Sequence, residues 1–385
     1  MIQSWDDEKL NLKDKLLRGV FSYGFENPSS IQKQAIYPLI YGRNGVERDI
    51  IAQAQSGTGK TGTFVIGSLQ LLDETLVKPQ VLILAPTHEL AKQIKNVVDS
   101  LGYYLKINSM LLVGGTSVDN DRKTLNEVSP QVIVGTPGRV QDMIRRKALK
   151  TSTLKLLILD EADEMLSSGF KDQIAKIFKK LPEDVKIGLF SATMSDELID
   201  ITRMFMRDPI KILVKNEELT LQGIKQYYVQ LNTDSDKYET LKDIFSTLTI
   251  SQSIIYCNSV KRVDDLEEAM IEDNYPVKKI HGKMTEEERN TTYEQFKTGG
   301  CRVLITSNLF ARGIDVQQVS IVINFDIPKN EATYLHRIGR SGRWGRKGIA
   351  INFLTKYDVG KLKKIQEFFN THIEEMPINY ADCLS

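Results

Sequence analysis

Two stretches of this sequence hold residue types at spacings suited to phosphoryl transfer. In Ala54-Gln-Ser-Gly-Thr-Gly-Lys-Thr61, glycines among small polar residues let successive backbone N–H groups curl around phosphate oxygens at a helix N-terminus. Ser56, Gly57, Thr58 and Gly59 would form that cradle, Lys60 would neutralise the β and γ phosphates, and the Thr61 hydroxyl would hold Mg²⁺. The general phosphate-loop pattern has glycine where Ala54 stands. Gly57 to Gly62 also matches the dinucleotide fingerprint G-x-G-x-x-G, but the next apolar run ends in Pro86-Thr87, where that fold needs an acid for the ribose. The second stretch is Leu156-Leu-Ile-Leu-Asp160-Glu161-Ala-Asp163. A carboxylate at the end of a buried strand reaches Mg²⁺ through water, the role given to Asp160. Its neighbour, Glu161, polarises the water that attacks the γ phosphate. The plain alternative is an acidic helix start stabilised by the dipole, and the phosphate loop upstream weighs against it.

For these residues to meet, they must sit at the ends of strands. Short β-branched runs recur with helical patterns between them: Asp49-Ile-Ile-Ala, Val81-Leu-Ile-Leu, Met110-Leu-Leu-Val, Gln131-Val-Ile-Val, Leu156-Leu-Ile-Leu and Ile187-Gly-Leu-Phe. Runs that are apolar throughout indicate a parallel sheet covered by helices on both faces. A second series follows: Gln226-Tyr-Tyr-Val, Ser253-Ile-Ile-Tyr, Arg302-Val-Leu-Ile, Ser320-Ile-Val-Ile and Ile349-Ala-Ile-Asn. The expected fold is therefore α/β with two tandem sheets, one domain over 1–212, a polar linker over 213–223 and a second domain over 224–385.

Composition narrows the function classes. The chain has 385 residues, with 51 Lys plus Arg against 50 Asp plus Glu, so it does not coat nucleic acid through bulk charge and any anion site must be local. The longest apolar run, Val81 to Ala85, is far too short for a membrane helix, so no membrane association is expected. The acidic start Met1-Ile-Gln-Ser-Trp-Asp-Asp-Glu lacks the pattern of a signal peptide. Cys257, Cys301 and Cys383 are too far apart in sequence for a disulfide framework or a zinc site, and fit a reducing interior.

Asp-Glu-Ala-Asp downstream of Ala-Gln-Ser-Gly-Thr-Gly-Lys-Thr resembles the DEAD-box RNA helicases, over almost the whole chain. That resemblance implies two RecA-like domains, ATP and Mg²⁺ as cofactors, and RNA as substrate. Gly24-Phe-Glu-Asn-Pro-Ser-Ser-Ile-Gln32 resembles the family's Q motif, in which Gln32 would read the adenine edge and Phe25 would lie against the ring, with Trp5 in place of an upstream Phe. Ser191-Ala-Thr193 resembles the motif that links hydrolysis to RNA.

His336-Arg-Ile-Gly-Arg-Ser-Gly-Arg-Trp-Gly-Arg-Lys-Gly348 has five cations and no acid. It reads either as a basic patch for RNA phosphate or as a cleft element, because the three-residue spacing of Arg337, Arg340 and Arg343 places them on one face of a helix. The resemblance implies that Arg340 and Arg343 are arginine fingers for the γ phosphate. It also implies that His336 couples to the Asp-Glu-Ala-Asp segment and that Asp315 accepts from a ribose hydroxyl. A track for single-stranded RNA is implied at Pro86, Thr87, Gly115, Thr136, Pro137 and Arg139, and in the second domain at Asn258, Gly282, Arg289 and Thr306.

The chain departs from the family pattern at His88, Lys186, Lys283 and Asn308, which would make the surroundings of the site more positive. The strings Leu219-Thr-Leu-Gln-Gly-Ile-Lys-Gln226 and Glu375-Met-Pro-Ile-Asn379 look most like the translation-initiation branch of the family. That likeness implies a cytoplasmic monomer acting on messenger RNA with a helical-repeat scaffold of the initiation factor four-G type. The alternative is a nucleotide-gated RNA clamp of the exon-junction type, which would allow a nuclear place.

Overall fold

In a computed structural model of the chain, residues 2–54, 58–167, 169–194, 196–213, 224–247, 252–307, 319–339, 341 and 348–377 are described. The chain divides into two compact units, Met1–Val214 and Lys215–Ser385. Among the described residues, the first unit has seven parallel strands: β1 Ile50–Gln53, β2 Val81–Leu84, β3 Ser109–Leu112, β4 Val132–Gly135, β5 Leu156–Asp160, β6 Lys186–Ser191 and β7 Ile210–Leu213, in the order β3-β4-β2-β5-β6-β1-β7. The second has β8 Ile224–Gln230, β9 Ser253–Tyr256, β10 Val277–Ile280, β11 Val303–Thr306, β12 Ile321–Asn324, β13 Gly348–Leu354 and β14 Glu374–Glu375, also parallel, in the order β10-β11-β9-β12-β13-β8-β14.

The apolar strand runs follow from this layering. Alternate residues of one strand point to opposite faces. Ile50, Ala52, Ile83, Val134, Leu156 and Ile158 pack on one face with Leu39, Phe64 and Ile94 from the helices. Ile51, Leu82, Leu84, Ile133, Leu157 and Leu159 pack on the other, with Val140, Met143 and Ile177. Both faces are buried, so neither set can be polar. In the first unit β1 to β6 are each followed by a helix that runs back across the sheet, which leaves the strand-to-helix turns together at one edge, where ligands bind in such sheets.

Two expectations are corrected. Lys186 is the first residue of β6, at the opposite end of that strand from Ser191, roughly 16 Å away at the usual rise per residue. There its ammonium is buried and donates to the Ile40 carbonyl at 3.5 Å. Burial lowers its pKa, and Glu47 and Asp49 oppose that effect, so Lys186 adds no charge at the catalytic edge. β7 and β10 also extend the two sheets beyond the apolar runs. They are edge strands, Ile-Lys-Ile-Leu and Val-Lys-Lys-Ile, and their lysines match the charge that discourages pairing with further strands.

Candidate active site

β1, β6 and β5 are neighbours, with Gln53 opposite Ser191 and Phe190 opposite Asp160, so the phosphate loop, Ser191-Ala-Thr193 and Asp160-Glu161 emerge side by side. The helix Lys60–Leu71 starts directly behind the loop. Lys60 Nζ lies 3.4 Å from Glu161 Oε1, and both side chains are buried. Glu161 has φ +50°, a left-handed conformation that costs a non-glycine residue energy and is concentrated at functional sites. Its N–H donates to Asp160 Oδ1 at 3.0 Å. Burial, and then the charge on Glu161, push the Asp160 pKa up from 3.8 to about 7, while Lys60 pulls it down. A buried carboxylate with too little positive charge beside it, next to the Thr61 hydroxyl's helix, is a donor set suited to a hard divalent cation. Thr193 Oγ1 donates to Asp163 Oδ2 at 2.6 Å, which ties the end of β6 to the segment that carries Glu161.

Gln32 is the third residue of the helix Ser30–Tyr41. Its Oε1 accepts from the Ser29 N–H at 2.7 Å and its Nε2 donates to the Gly59 carbonyl at 3.3 Å. The residue expected to read adenine is therefore bound to the phosphate loop itself. Gly59 has φ +103°, and a Cβ there would lie 2.8 Å from Gln32 Nε2 and from Ser29 Oγ. One on Gly62 would meet the Phe25 ring at 2.9 Å, so a larger residue at either position would displace Gln32 or Phe25. Phe25 stacks on the buried Trp5, with centroids 6.0 Å apart, and meets Tyr23 edge-on at 4.8 Å. Thr58 and Thr61 flank Gly59 and Lys60, whereas Ser56 and Gly57 lie outside the described residues.

Three further strands of the first sheet, β2, β4 and β3, carry the residues expected to hold RNA. Pro86 and Thr87 lead into the helix His88–Leu101, where Thr87 Oγ1 caps the Leu90 N–H. Thr136 and Pro137 start the helix Pro137–Arg145 after β4, and Gly115, with φ +83°, follows β3. Two helix N-termini thus share one edge, with N–H groups available to phosphate oxygens. Arg139 is not a free cation. It forms a buried ion pair with Asp121 and donates to the Thr116 hydroxyl and carbonyl, both at 2.8 Å, which fixes the loop that contains Gly115.

In the second unit β10, β11 and β9 are adjacent, and Gly282, Thr306 and Asn258 lie at or just beyond their ends. Gly282 is exposed and Arg289 is half-buried in the helix Glu286–Lys297. Thr306 is buried and its hydroxyl donates to the Ile280 carbonyl at 2.8 Å. The Asn258 amide donates to the Ile327 carbonyl and accepts from Arg337 Nη2 at 2.8 Å.

Of the three arginines expected on one helical face, Arg337 is carried by the helix Glu331–Ile338, and Arg340 and Arg343 are not among the described residues. Arg337 is fully buried and donates through Nη1 to Asn324 Oδ1 and to the Asp326 carbonyl. Asn324 continues to Asn352, which donates to the Tyr334 hydroxyl, and Tyr334 donates to Gln226. This buried network escaped the sequence reading, although amides within otherwise apolar runs, at Asn324 and Asn352, were its visible signal. His336 is in the last turn of the same helix. Arg340, Arg343, Asp315 and Asn308 lie outside the described residues.

Residues 29–201 match the DEAD/DEAH box helicase model and 236–345 the helicase conserved C-terminal domain. The chain is 54% identical to the ATP-dependent RNA helicase eIF4A of Yarrowia lipolytica, over 100% of this chain and 95% of that protein. It is 54% identical to eukaryotic initiation factor 4A of Drosophila melanogaster, over 99% and 93%. Among solved structures it is similar to S. cerevisiae Dbp5 bound to RNA and ADP BeF3, with a TM-score of 0.91 at 36% identity, covering 100% of this chain and 98% of that one. Identity above half along its whole length, with both family models matched in order, means that the chain belongs to the DEAD-box family of ATP-dependent RNA helicases.

Proposed function

We propose that the protein binds ATP with Mg²⁺ at the β1, β5 and β6 ends, hydrolyses it to ADP and phosphate when RNA is bound, and uses the cycle to open short duplexes in messenger RNA during translation initiation. The observation that carries this reading is the buried Lys60–Glu161–Asp160 cluster, tied through Asp163 to Thr193. Asp160 and Thr61 would hold Mg²⁺, which supplies charge neutralisation of the phosphates and orientation of the γ phosphate. Lys60 would exchange Glu161 for phosphate oxygens as nucleotide enters. Glu161 would then be free to accept a proton from the attacking water. Gln32 and Phe25 would recognise the adenine, and the Gln32 bond to Gly59 would transmit its position to the phosphate loop.

Arg340 and Arg343 are assigned to the γ phosphate, His336 to the Asp-Glu-Ala-Asp segment and Asp315 to the ribose. RNA would lie on Pro86, Thr87, Gly115, Thr136, Pro137, Gly282 and Arg289, through backbone N–H groups and phosphates. Arg139, Asn258 and Thr306 would hold those turns in shape from behind. Relatives named initiation factor 4A favour the initiation role over an exon-junction clamp. A cytoplasmic place, a monomeric state and a helical-repeat scaffold of the initiation factor four-G type belong to the same reading. The test is strand separation of a short RNA duplex by the purified chain. ATP should support it, and ADP should not. Equal rates with either nucleotide would remove the helicase reading.

A further inference from the structure

The helices Pro137–Arg145 and Lys171–Phe178 pack on the first sheet through Val140, Met143, Ile174 and Ile177. Beyond their last turns is a cavity of about 690 Å³, within the size range of sites that accept a ligand or a partner's side chains. Its lining includes Arg145, Lys147, Lys150, Lys176, Lys179 and Lys180, and no acid. Across the chain, cations and acids are almost equal in number, 51 against 50, so six of one sign around one cavity is not average surface. All six are exposed. Arg145 is paired with Asp142, whereas the five lysines have no ion-pair partner among the described residues. The floor is aliphatic, formed by Ile144, Leu149 and Ile177, the last two buried.

Basic residues near helix C-termini are favoured by the dipole, and that alone accounts for a cation in each last turn. It does not account for Lys147 and Lys150. Lys147 follows the helix end with φ +60°, where a turn of this kind favours glycine, and the turn closes through Ala148 N–H to the Met143 carbonyl.

The groove is also remote from the chemistry. The helix that starts at Thr136 on the catalytic edge is nine residues long, so its end lies roughly 13 Å back along the sheet. Thr153, in the same connection, donates to the Pro79 carbonyl just before β2, which places that connection at the amino ends of the strands.

We propose that this groove is a docking site for an acidic protein segment that places one or two aliphatic side chains on the Ile144–Leu149–Ile177 floor, with carboxylates on the surrounding lysines. Among its lining residues there is no aromatic ring, and five of the six cations are lysine. Lysine pairs with phosphate as well as with carboxylate, but the aliphatic floor offers apolar contact to a side chain and no ring on which a base could stack, so the lining favours a peptide over RNA.

The probe is a labelled synthetic peptide, Glu-Glu-Leu-Glu-Glu-Met-Leu-Glu-Glu, titrated onto the full chain, with a second peptide in which Leu and Met become Ser and an oligouridylate as competitor. The charge-reversed variant carries Lys147→Glu, Lys150→Glu and Lys179→Glu, all at exposed positions, and its melting temperature reports that it folds. The first peptide should bind, and more weakly as salt rises. The variant and the Ser peptide should each weaken binding by roughly tenfold or more, oligouridylate should not displace the peptide, and ATP hydrolysis by the variant should equal the parent's. Four results overturn the proposal: no binding of the first peptide, equal binding of the two peptides, displacement by oligouridylate, or loss of RNA-stimulated hydrolysis in the variant. The last would assign these lysines to RNA.

Discussion

Replacing Glu161 with Gln keeps the size and hydrogen-bonding reach of the side chain and removes its charge. That charge faces Lys60 at 3.4 Å, both groups being buried. With an effective dielectric constant near 20, the gross attraction is about 5 kcal/mol. Lys60 must give this up when phosphates arrive, and its new contacts offset most of it. Glu161 also disfavours the ionised form of Asp160, the form a cation needs. Both effects point one way, so the variant should bind ATP and Mg²⁺ as tightly as the parent or up to about tenfold more tightly. Hydrolysis should fall by about 10² to 10⁴, the usual contribution of a positioned base. Equilibrium binding of a fluorescent ATP and single-turnover hydrolysis with saturating RNA separate the two quantities. Turnover close to the parental rate would remove Glu161 from water activation, and ATP binding weakened tenfold would show that the ion pair does not compete with nucleotide.

Thr193→Val deletes the 2.6 Å bond to buried Asp163, a charge-assisted contact of about 1.5–3 kcal/mol; ATP affinity should survive while stimulation of hydrolysis by RNA is lost, and retained stimulation would break the proposed link. Arg139→Ala strands Asp121 in a nearly buried position, so denaturant unfolding of the first unit should lose about 3–5 kcal/mol, and Asp121→Ala in the same chain should restore part of it; a loss under about 1 kcal/mol would make Arg139 a free cation after all. Asp160 is held protonated by the fold up to about pH 7, against 3.8 when unfolded, so its favourable contribution is complete below about pH 4 and lost as pH rises through 7. The melting temperature of metal-free parent minus Asp160→Asn should therefore fall across that window, and a flat difference would contradict the raised pKa.

Much of the fold could be read from the chain because burying both faces of a sheet leaves no room for polar residues in β2, β4 or the first four residues of β5. The edge strands β7 and β10 were hidden for the converse reason, since exposure lets lysine into the pattern. Within the site, Lys60, Asp160 and Glu161 were legible because phosphate chemistry restricts both residue type and spacing. What spacing could not reveal is which partner satisfies a side chain across a long sequence gap. Gln32 carries donor and acceptor as adenine recognition requires, yet its link to Gly59 needs the fold. Arg139 and Arg337 look like surface cations in sequence, and each is buried by partners supplied from other elements. The end of the helix at Ile338, by contrast, has a local signal in the sequence, the glycine at 339 that caps it.

Coupling between nucleotide and RNA is the center of the functional account, and RNA affinity in two nucleotide states tests it most directly. Binding of a fluorescent single-stranded RNA should be measured at fixed salt, once with ADP and once with a non-hydrolysable ATP mimic. The mimic should tighten RNA binding by tenfold or more, on the order of typical coupling free energies. That gain should vanish in Arg340→Ala and Arg343→Ala while affinity in ADP is unchanged. Identical RNA affinity in the two states of the parent protein would contradict it.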